Sequence, residues 1–244
     1  MANTYLTKTY GQNAANRKIF TISAWFKRSK LGATQDLISA SRASDGLQTD
    51  VIRFGATDDL EFYAHSTLGN GPFNYQTNRL FRDTSAWYNV VVMVNTTDNT
   101  ASDRVKIYVN GVRETSFSVA NNPTQNDETV WGIGSGVVHT VGAVGTSNKF
   151  DGLASHIHYC DGYAYDASSF GSTDSTTGEW QINIDPSVSY GTNGFWILKD
   201  GNSVTDSSPN SNNFTIVVGS GGGLSKSEDN PSNNFCTWNP NYRG

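Results

Sequence analysis

The chain has 244 residues, of which 36% are hydrophobic, 12% aromatic and only 16% charged, and a single β-sandwich or barrel can reach this length. The aromatic content is too high for a disordered chain, and the formal net charge of −5 argues against direct nucleic-acid binding. No apolar stretch approaches the roughly 20 residues of a membrane span, and the N-terminus lacks the apolar run of a signal peptide. We therefore expect synthesis in a cytosol.

Charge is distributed unevenly along the chain. Residues 1–122 carry 13 basic and 10 acidic residues, a net charge of +3, whereas residues 123–244 carry 4 basic and 12 acidic residues, a net charge of −8. The first thirty residues hold six basic residues and no acidic one: Lys8, Arg17, Lys18, Lys27, Arg28 and Lys30. These could form a basic edge that docks on an acidic partner. The interpretation we favour is that both halves interleave in one domain, so that the asymmetry disappears in space.

An alternating strand is the first clear element. Within residues 20–27, apolar and mostly polar side chains alternate, which is the period-two pattern of a half-buried strand. The apolar face would carry Phe20, Ile22, Ala24 and Phe26, and the other face Thr21, Ser23, Trp25 and Lys27. Shorter strands are predicted at 51–54 and 60–64, separated by the turn residues 55–59.

The strongest local signal lies between residues 87 and 119. Residues 87–94 form a nearly continuous apolar, β-branched run, which is typical of a strand covered on both faces. After a polar loop, residues 104–109 alternate and meet Asn110-Gly111, the best sequence signal for a two-residue type I′ hairpin. We expect residues 112–119 to return as the partner strand.

The rest of the chain continues this pattern. Strands are predicted at 129–133, 153–160, 195–198 and 214–218, and one helical turn at 166–170 with Asp166 as its N-cap. Residues 219–229 are rich in Gly and Ser and indicate a linker, whereas 230–244 regains aromatics and should pack back as a C-terminal tail. Many short strands without an internal repeat predict an antiparallel all-β sandwich or barrel, with 1–244 as one domain.

Few residues could carry chemistry. Cys160 and Cys236 lie in apolar settings without a CxxC motif, so we expect free, buried thiols. The acidic cluster at 58–61 begins in a turn, and we interpret it as a polar hairpin turn. His156 and His158 are two apart on one predicted strand and would share a face. A zinc site needs further ligands, for which no spacing is evident, so hydrogen bonding is their expected role.

Four motifs in order resemble the laminin G-like, concanavalin A-like family of jelly-roll sandwiches. They are Phe20–Lys27, the pair Trp87–Val90 and Lys106–Val112, Phe150–Tyr159, and Asp206–Phe214, where Pro209 stands in place of a glycine. The resemblance implies an antiparallel jelly-roll β-sandwich. Glycosidases of this fold carry an E-x-D-x-x-E run, which this sequence lacks, so no enzyme activity and no catalytic residue is expected.

The same resemblance bears on metals. Some members of the family bind calcium, and the "D-E" of their closing strand is here Ser155-His156. Calcium is therefore an open option, and no cofactor is expected.

A narrower resemblance is to structural proteins of phages, particularly marine and cyanobacterial phages. It is carried by Met1–Thr7, Phe20–Ser29, Gly191–Phe195 and Asp229–Thr237. It implies a virion component that assembles in the host cytoplasm, most simply a capsid decoration or cement protein that contacts the major capsid protein or tail proteins. A homo-oligomer is implied as well, with a trimer as one option. The alternative is a carbohydrate-binding adhesin of a tail or capsid fibre that contacts a host-surface glycan.

Sugar binding is the most natural hypothesis for a small ligand, because aromatic rings stack on the apolar faces of sugars while Asn and Asp bind the hydroxyls. The aromatic residues that we select as candidates for such a site are Tyr63, Tyr75, Trp131 and Trp180. A tryptophan in a sandwich is more often part of the core, so each of these residues has a structural alternative.

Overall fold

The structure, a computed structural model, describes residues 4–42, 49–199, 203–219 and 223–232. In chain order the strands are β1 (Tyr5–Lys8), β2 (Ile19–Arg28), β3 (Gln35–Arg42), β4 (Thr49–Phe54), β5 (Asp59–His65), β6 (Pro72–Leu80), β7 (Tyr88–Asn95), β8 (Val105–Val109), β9 (Val112–Arg113), β10 (Phe117–Asn121), β11 (Val137–Val141), β12 (Gly152–Asp161), β13 (Gly171–Thr173), β14 (Trp180–Ile182), β15 (Phe195–Ile197) and β16 (Thr215–Val217). The helical structure consists of two single 3-10 turns among the described residues, Ala101–Asp103 and Ala167–Ser169.

The strands form two large antiparallel sheets. In the described part of the chain, one sheet has eight strands in the order β10-β6-β5-β4-β3-β11-β1-β16. The other has six strands in the order β15-β12-β2-β7-β8-β9. A small additional sheet pairs β13 with β14. The predicted all-β, antiparallel sandwich is confirmed.

The main hydrophobic cluster, which we call the inner core, packs side chains of both large sheets against one another. Its largest members, all buried, are Phe20, Phe54, Phe62, Trp131, Tyr159 and Phe195. Aromatic rings meet edge to face within it, with 6.0 Å between the ring centres of Phe20 and Tyr159. Such pairs add to the stabilisation that comes from removing apolar surface from water.

A second cluster, which we call the outer cluster, covers the opposite face of the six-stranded sheet. It consists of the buried side chains of Val91, Cys160, Ala167, Phe170, Tyr190 and Trp196. Because this layer lies over β2, both faces of that strand are buried, and the prediction of a half-buried strand is wrong. Cys160 is a free, buried thiol whose pKa is raised by desolvation. Cys236 lies outside the described residues.

The Asn110-Gly111 hairpin has the predicted geometry, but its return strand differs from the prediction. Asn110 and Gly111 have φ angles of 48° and 78°, as a type I′ turn requires. However, β9 is only two residues long, and β10 pairs with β6 in the other sheet. The segment predicted as one strand at 112–119 therefore crosses between the two sheets.

The segment 129–133, predicted as a strand, is instead a turn held by a buried carboxylate. The amides of Val130 and Trp131 donate to Oδ2 of Asp50 at 2.8 and 3.1 Å. The amide of His65, at the end of β5, donates to Oδ1 of the same residue at 2.8 Å. A side chain thus satisfies backbone groups that a neighbouring strand would otherwise pair, which a pattern of apolar residues does not reveal.

Other predicted elements agree with the structure. The strands expected at 51–54, 60–64, 153–160, 195–198 and 214–218 correspond to β4, β5, β12, β15 and β16. Asp166 caps the 3-10 turn at 167–169, with its side chain accepting from the amide of Ser168 at 3.0 Å. Strands β1, β3, β6, β11, β13 and β14 were not predicted, although β6 does alternate, with Phe73, Tyr75 and Thr77 buried.

Three of the six N-terminal basic residues are paired with acidic residues from elsewhere in the sequence. Arg17 pairs with Glu128, Lys27 with Asp229, and Arg28 with Asp58. Two of these pairs, Arg17–Glu128 and Lys27–Asp229, join the basic first half of the sequence to the acidic second half, as expected if the two halves interleave in one domain.

The described part of the predicted linker and tail, residues 223–232, lies against the sandwich. Leu224 packs on the inner core, and Asp229 binds β2 through Lys27. Residues 233–244 of the predicted tail lie outside the described residues. No helix in the described ranges is both long and apolar enough to cross a membrane.

Candidate functional site

Two of the four aromatic residues selected as sugar-binding candidates have no accessible face. Trp131 is completely buried in the inner core, between Phe20 and Tyr159. Tyr75 is only 4% exposed, and its hydroxyl donates to Asn122. A sugar could stack on neither ring without opening the core, so the selection of these two residues is corrected.

The remaining two candidates lie on different parts of the molecule. Tyr63 is half-buried on β5, and its ring meets His65 edge to face at 5.0 Å. Its neighbours Phe62 and Ala64 point into the inner core, so Tyr63 lies on the outer face of the eight-stranded sheet. Trp180 is half-buried and hydrogen-bonded to Asn89 of the six-stranded sheet. The structure therefore does not bring Tyr63 and Trp180 together.

Trp180 is instead joined by Trp25 and Trp87, which the sequence analysis did not select and which are both buried, with 4% and 6% of their surface exposed. A cleft of about 280 Å³, which we call the tryptophan cleft, is lined by Trp25, Trp87, Asn110, Gly178, Glu179, Trp180 and Pro231. These residues come from β2, the start of β7, the β8–β9 turn, the β13–β14 hairpin and the C-terminal segment. One signal in the sequence pointed to Trp25, a large aromatic on the face of β2 that otherwise carries Thr21, Ser23 and Lys27.

Two glycines and an asparagine hold Trp180 in place. A Cβ atom at Gly111 would lie 2.3 Å from Cε3 of the Trp180 ring, and one at Gly171 would lie 2.7 Å from Cε2. The indole can therefore pack this closely only where the neighbouring residues lack side chains. Its Nε1 donates to Oδ1 of the buried Asn89 at 3.1 Å, which fixes the orientation of the ring.

The ring of Trp87 is held by the C-terminal segment. Its Nε1 donates to Oδ1 of Asp229 at 2.8 Å, while Nζ of Lys27 donates to Oδ2 of the same carboxylate at 2.6 Å. Burial alone would raise the pKa of Asp229, but these two donors hold it below its ordinary value. Asp229 is therefore ionised at neutral pH and fixes one wall of the tryptophan cleft, next to Pro231.

Two polar side chains in the cleft can bind a ligand. Oδ1 of Asn110 accepts from the amide of Asn89 at 2.7 Å. Among the described residues, Nδ2 of Asn110 has no hydrogen-bond acceptor, and the carboxylate of Glu179 has no hydrogen-bond donor. The cleft thus combines aromatic walls with one free amide donor and one free carboxylate acceptor, a combination suited to a ligand with both apolar C–H faces and hydroxyl groups.

A larger groove of about 510 Å³ lies between β1, β12 and the C-terminal segment. Its acidic groups are already bound: Asp151 accepts from the hydroxyl of Ser29, and Asp229 from Lys27 and Trp87. Residues 223–232 form much of one wall. We therefore take the tryptophan cleft, with its free donor and acceptor, as the candidate site.

The histidines at 156 and 158 take part in aromatic packing. Both rings contact Trp196, with ring-centre distances of 6.4 and 4.9 Å. Nδ1 of His158 lies 2.9 Å from the hydroxyl of Tyr190. Burial, followed by the nearby His156 and Lys199, lowers the pKa of His158. Within the described ranges, no group of three or more His, Cys, Asp or Glu residues could hold a metal ion.

The acidic cluster at 58–61 combines a turn with the start of a strand. Asp58 has a φ angle of 71° and accepts from Arg28 at 3.0 Å and Arg82 at 3.2 Å. Burial would raise its pKa, but the amide of Gly32 and the two arginines lower it. Asp59 and Glu61 lie two apart on β5, and both side chains lie beside Gly55. Glu61 is paired with Arg53 at 2.6 Å.

A family model with the description "Concanavalin A-like lectin/glucanases superfamily" matches residues 2–158 of the sequence, well over half of the chain. The chain belongs to this superfamily. No curated protein sequence matches it. The superfamily match covers the strands from β1 to most of β12, whereas Glu179, Trp180 and Pro231 of the tryptophan cleft follow it in the sequence.

Three solved structures are similar to this chain. A heptameric SAP-like pentraxin from Limulus polyphemus has 14% sequence identity and a TM-score of 0.50, and the match covers 88% of each chain. The LG4-5 domains of mouse laminin alpha1 have 12% identity and a TM-score of 0.44, over 80% of this chain and 45% of that one. The CBM40 of a Ruminococcus gnavus IT-sialidase, bound to α2,3-sialyllactose, has 17% identity and a TM-score of 0.43, over 56% and 72%. At 14% identity the likeness to the pentraxin shows the fold alone.

Proposed function

We propose that this superfamily member binds carbohydrate without catalysis and that the tryptophan cleft is its sugar site. The observation that carries the proposal is the half-buried ring of Trp180 in a cleft of about 280 Å³, which is also lined by Asn110, Glu179 and the buried Trp25 and Trp87. Ligand sites typically combine apolar and aromatic walls with a few placed polar groups. The "lectin" part of the superfamily description agrees with this choice.

The chemistry of a sugar ring fits these walls. A pyranose has C–H groups on its faces, which pack on an aromatic ring, and hydroxyl groups around its edge. The carboxylate of Glu179 can accept from one hydroxyl in a charge-assisted hydrogen bond, and Nδ2 of Asn110 can donate to another. Because Asn89 and the two glycines already hold Trp180, little side-chain entropy is lost when a ligand binds.

The proposal includes the statement that the protein binds a sugar without hydrolysing it. Glycosidases generally use two carboxyl groups, about 5–5.5 Å apart in retaining enzymes and about 6.5–9.5 Å apart in inverting ones. Among the described residues that line the tryptophan cleft, Glu179 is the single acidic one. A hydrolysis assay on any oligosaccharide that binds would test this part directly.

The biological setting that we propose is a phage particle, where the protein acts as an adhesin on the tail or the capsid surface. Decoration of the shell by protein–protein contact is the second candidate role. It is favoured by an exposed edge of the eight-stranded sheet, where Ile216 on β16 and Val218 beside it are 38% and 56% exposed. Exposed apolar edge strands are ready to pair with another chain.

The experiment that tests sugar binding is an oligosaccharide array followed by calorimetric titration of each hit. We expect Trp180→Ala to weaken binding at least tenfold. The matched control is Tyr163→Ala, because Tyr163 is an aromatic residue that is 42% exposed and does not line the cleft. Binding that survives Trp180→Ala, or no binding by the unmodified protein, would refute the assignment of the cleft.

The proposed role on a phage particle is tested with particles that lack this protein. Saturable binding of the purified protein to such shells at symmetry-related positions would establish decoration. Attachment to the tail or to host cells instead would favour the adhesin role.

A further inference from the structure

The described residues that line the tryptophan cleft carry only negative charge. Of its described lining residues, Glu179 alone carries a formal charge. Behind Trp87 lies a second carboxylate, that of Asp229, and the nearby cation Lys27 is already bound to it at 2.6 Å. No cationic side chain lines the cleft within the described ranges, so a negatively charged ligand would find no counter-charge there.

We propose that the cleft selects neutral sugars and rejects acidic ones, and that Glu179 determines this specificity. The inference rests on the proposed sugar-binding function. An acidic sugar, such as a uronic or sialic acid, would bring its carboxylate next to that of Glu179. Glu179 is exposed to solvent, so this repulsion acts partly through water and is weakened by salt. Specificity of this kind comes from a repulsive element as much as from an attractive one.

The same carboxylate favours neutral sugars directly. An ionised carboxylate only accepts hydrogen bonds, and a sugar hydroxyl can donate to it. The free Nδ2 of Asn110 supplies a donor in the same cleft, so the pair suits a ligand with separate donor and acceptor hydroxyls. A ligand carboxylate has no hydrogen to donate to Glu179 at neutral pH, so it loses this bond in addition to being repelled.

The test compares two oligosaccharides that differ only at C6. One is a neutral hexose oligomer that binds the protein, and the other is the matching uronic acid oligomer, in which a carboxylate replaces CH2OH. Calorimetric titration at low salt should show the neutral oligomer binding at least tenfold more tightly. Raising the salt concentration should narrow this ratio, because salt screens the repulsion between exposed charges.

The variant Glu179→Gln keeps the size of the side chain and its hydrogen-bonding oxygen but removes its charge. We expect the ratio between the two oligomers to fall below about threefold, with the neutral oligomer itself binding severalfold more weakly. Asp185→Asn is the control, since Asp185 is an exposed acid, 86% accessible, outside the cleft. It should leave the ratio unchanged.

The outcomes separate this inference from the proposed function. If the unmodified protein binds neither oligomer nor any other sugar, the proposed sugar site itself is wrong. If it binds the acidic oligomer as tightly as the neutral one, or if Glu179→Gln leaves the ratio unchanged, the selectivity is wrong while the sugar site stands.

Discussion

The inner core and the outer cluster lie on opposite faces of the same six-stranded sheet, yet they originate in different parts of the sequence. Most of the inner core comes from strands within residues 2–158, the range that matches the superfamily. Apart from Val91, the outer cluster comes from residues 160–196, after that match. The first region supplies most strands of the sandwich. The second region completes the six-stranded sheet with the end of β12 and with β15, and it carries the 3-10 turn and the β13–β14 hairpin on one side of that sheet.

The difference between the two clusters indicates which part of the fold mainly provides stability and which part provides the candidate binding site. The inner core is large and encloses aromatic rings from both sheets. The outer layer is smaller, but it carries the β13–β14 hairpin, which positions Trp180 over Gly111 and completes the tryptophan cleft. We therefore expect changes to the inner core to act mainly on the free energy of unfolding, and changes around the outer layer to act mainly on sugar binding.

The largest effect should come from truncating an aromatic ring of the inner core. Phe62 is fully buried against Phe73, so Phe62→Ala should lower the free energy of unfolding by about 3–5 kcal/mol. Phe170→Ala in the outer cluster should lie at or below the lower end of that range, because a thin layer next to solvent can collapse around the lost ring. Urea denaturation measures both. Equal losses would show that the outer layer is as stabilising as the inner core.

A pH effect of a few kcal/mol at most should come from Asp50, at the edge of the inner core. Burial raises the pKa of this carboxyl to about 7, although three backbone amides lower it. At this carboxyl the folded protein binds a proton more tightly than the unfolded chain, so the contribution of Asp50 to the free energy of unfolding should fall as pH rises from about 4 to 7. Asp36, with a pKa raised mainly by burial to about 6, contributes in the same direction as Asp50. The buried His139 and His158, whose pKa values are lowered by burial, contribute in the opposite direction.

Urea denaturation at pH 5 and pH 8 measures this dependence. Asp50→Asn should remove the part of this dependence that Asp50 contributes. It should also destabilise the protein by about 1–3 kcal/mol, because the NH2 group of the new side chain cannot accept hydrogen bonds from the amides of Val130 and Trp131. If the change in stability between pH 5 and pH 8 is the same in the unmodified protein and in Asp50→Asn, Asp50 is not a buried group that titrates in this range.

The sequence predicts the sandwich better than it predicts the outer cluster, for physical reasons. Alternation identified β2, and the Asn-Gly pair identified the hairpin, because both signals are local. Whether the second face of β2 is covered depends on residues 160–196, more than 130 positions later, and alternation contains no such information. The turn at 129–133 was missed for the same reason, since its partner is the distant carboxylate of Asp50.

The candidate site was predictable only in part. Trp180 was selected from the sequence, but Trp25 and Trp87 join it only because the fold brings three separate segments together. Trp131 was selected wrongly, because a tryptophan in an apolar segment has the same sequence signature whether it is in a core or at a site. Asn110 was recognised as a turn residue, and its free amide became visible only with the contact between its Oδ1 and Asn89.

A smaller effect on stability, together with a large one on binding, should follow from Gly111→Ala. This glycine has a φ angle of 78°, and a Cβ atom there would lie 2.3 Å from the Trp180 ring. We expect a loss of about 1–2 kcal/mol from the left-handed backbone and at least tenfold weaker sugar binding, because Trp180 must move. Gly136→Ala is the control: its φ angle is 79°, but a Cβ atom there would have no atom within 4 Å. If both variants bind the sugar with equal affinity, Trp180 does not contact the sugar.

The smallest effect on stability should come from Asp229, which connects the C-terminal segment to the sandwich. The carboxylate is partly exposed and screened by solvent, so Asp229→Ala should cost no more than about 1 kcal/mol. It should nevertheless weaken sugar binding severalfold, because Nε1 of Trp87 loses the acceptor that fixes its ring. Lys27→Met separates the two contributions, since it removes the ion pair but leaves the Trp87–Asp229 hydrogen bond. If Lys27→Met weakens binding as much as Asp229→Ala does, the ion pair rather than the orientation of Trp87 shapes this wall of the cleft.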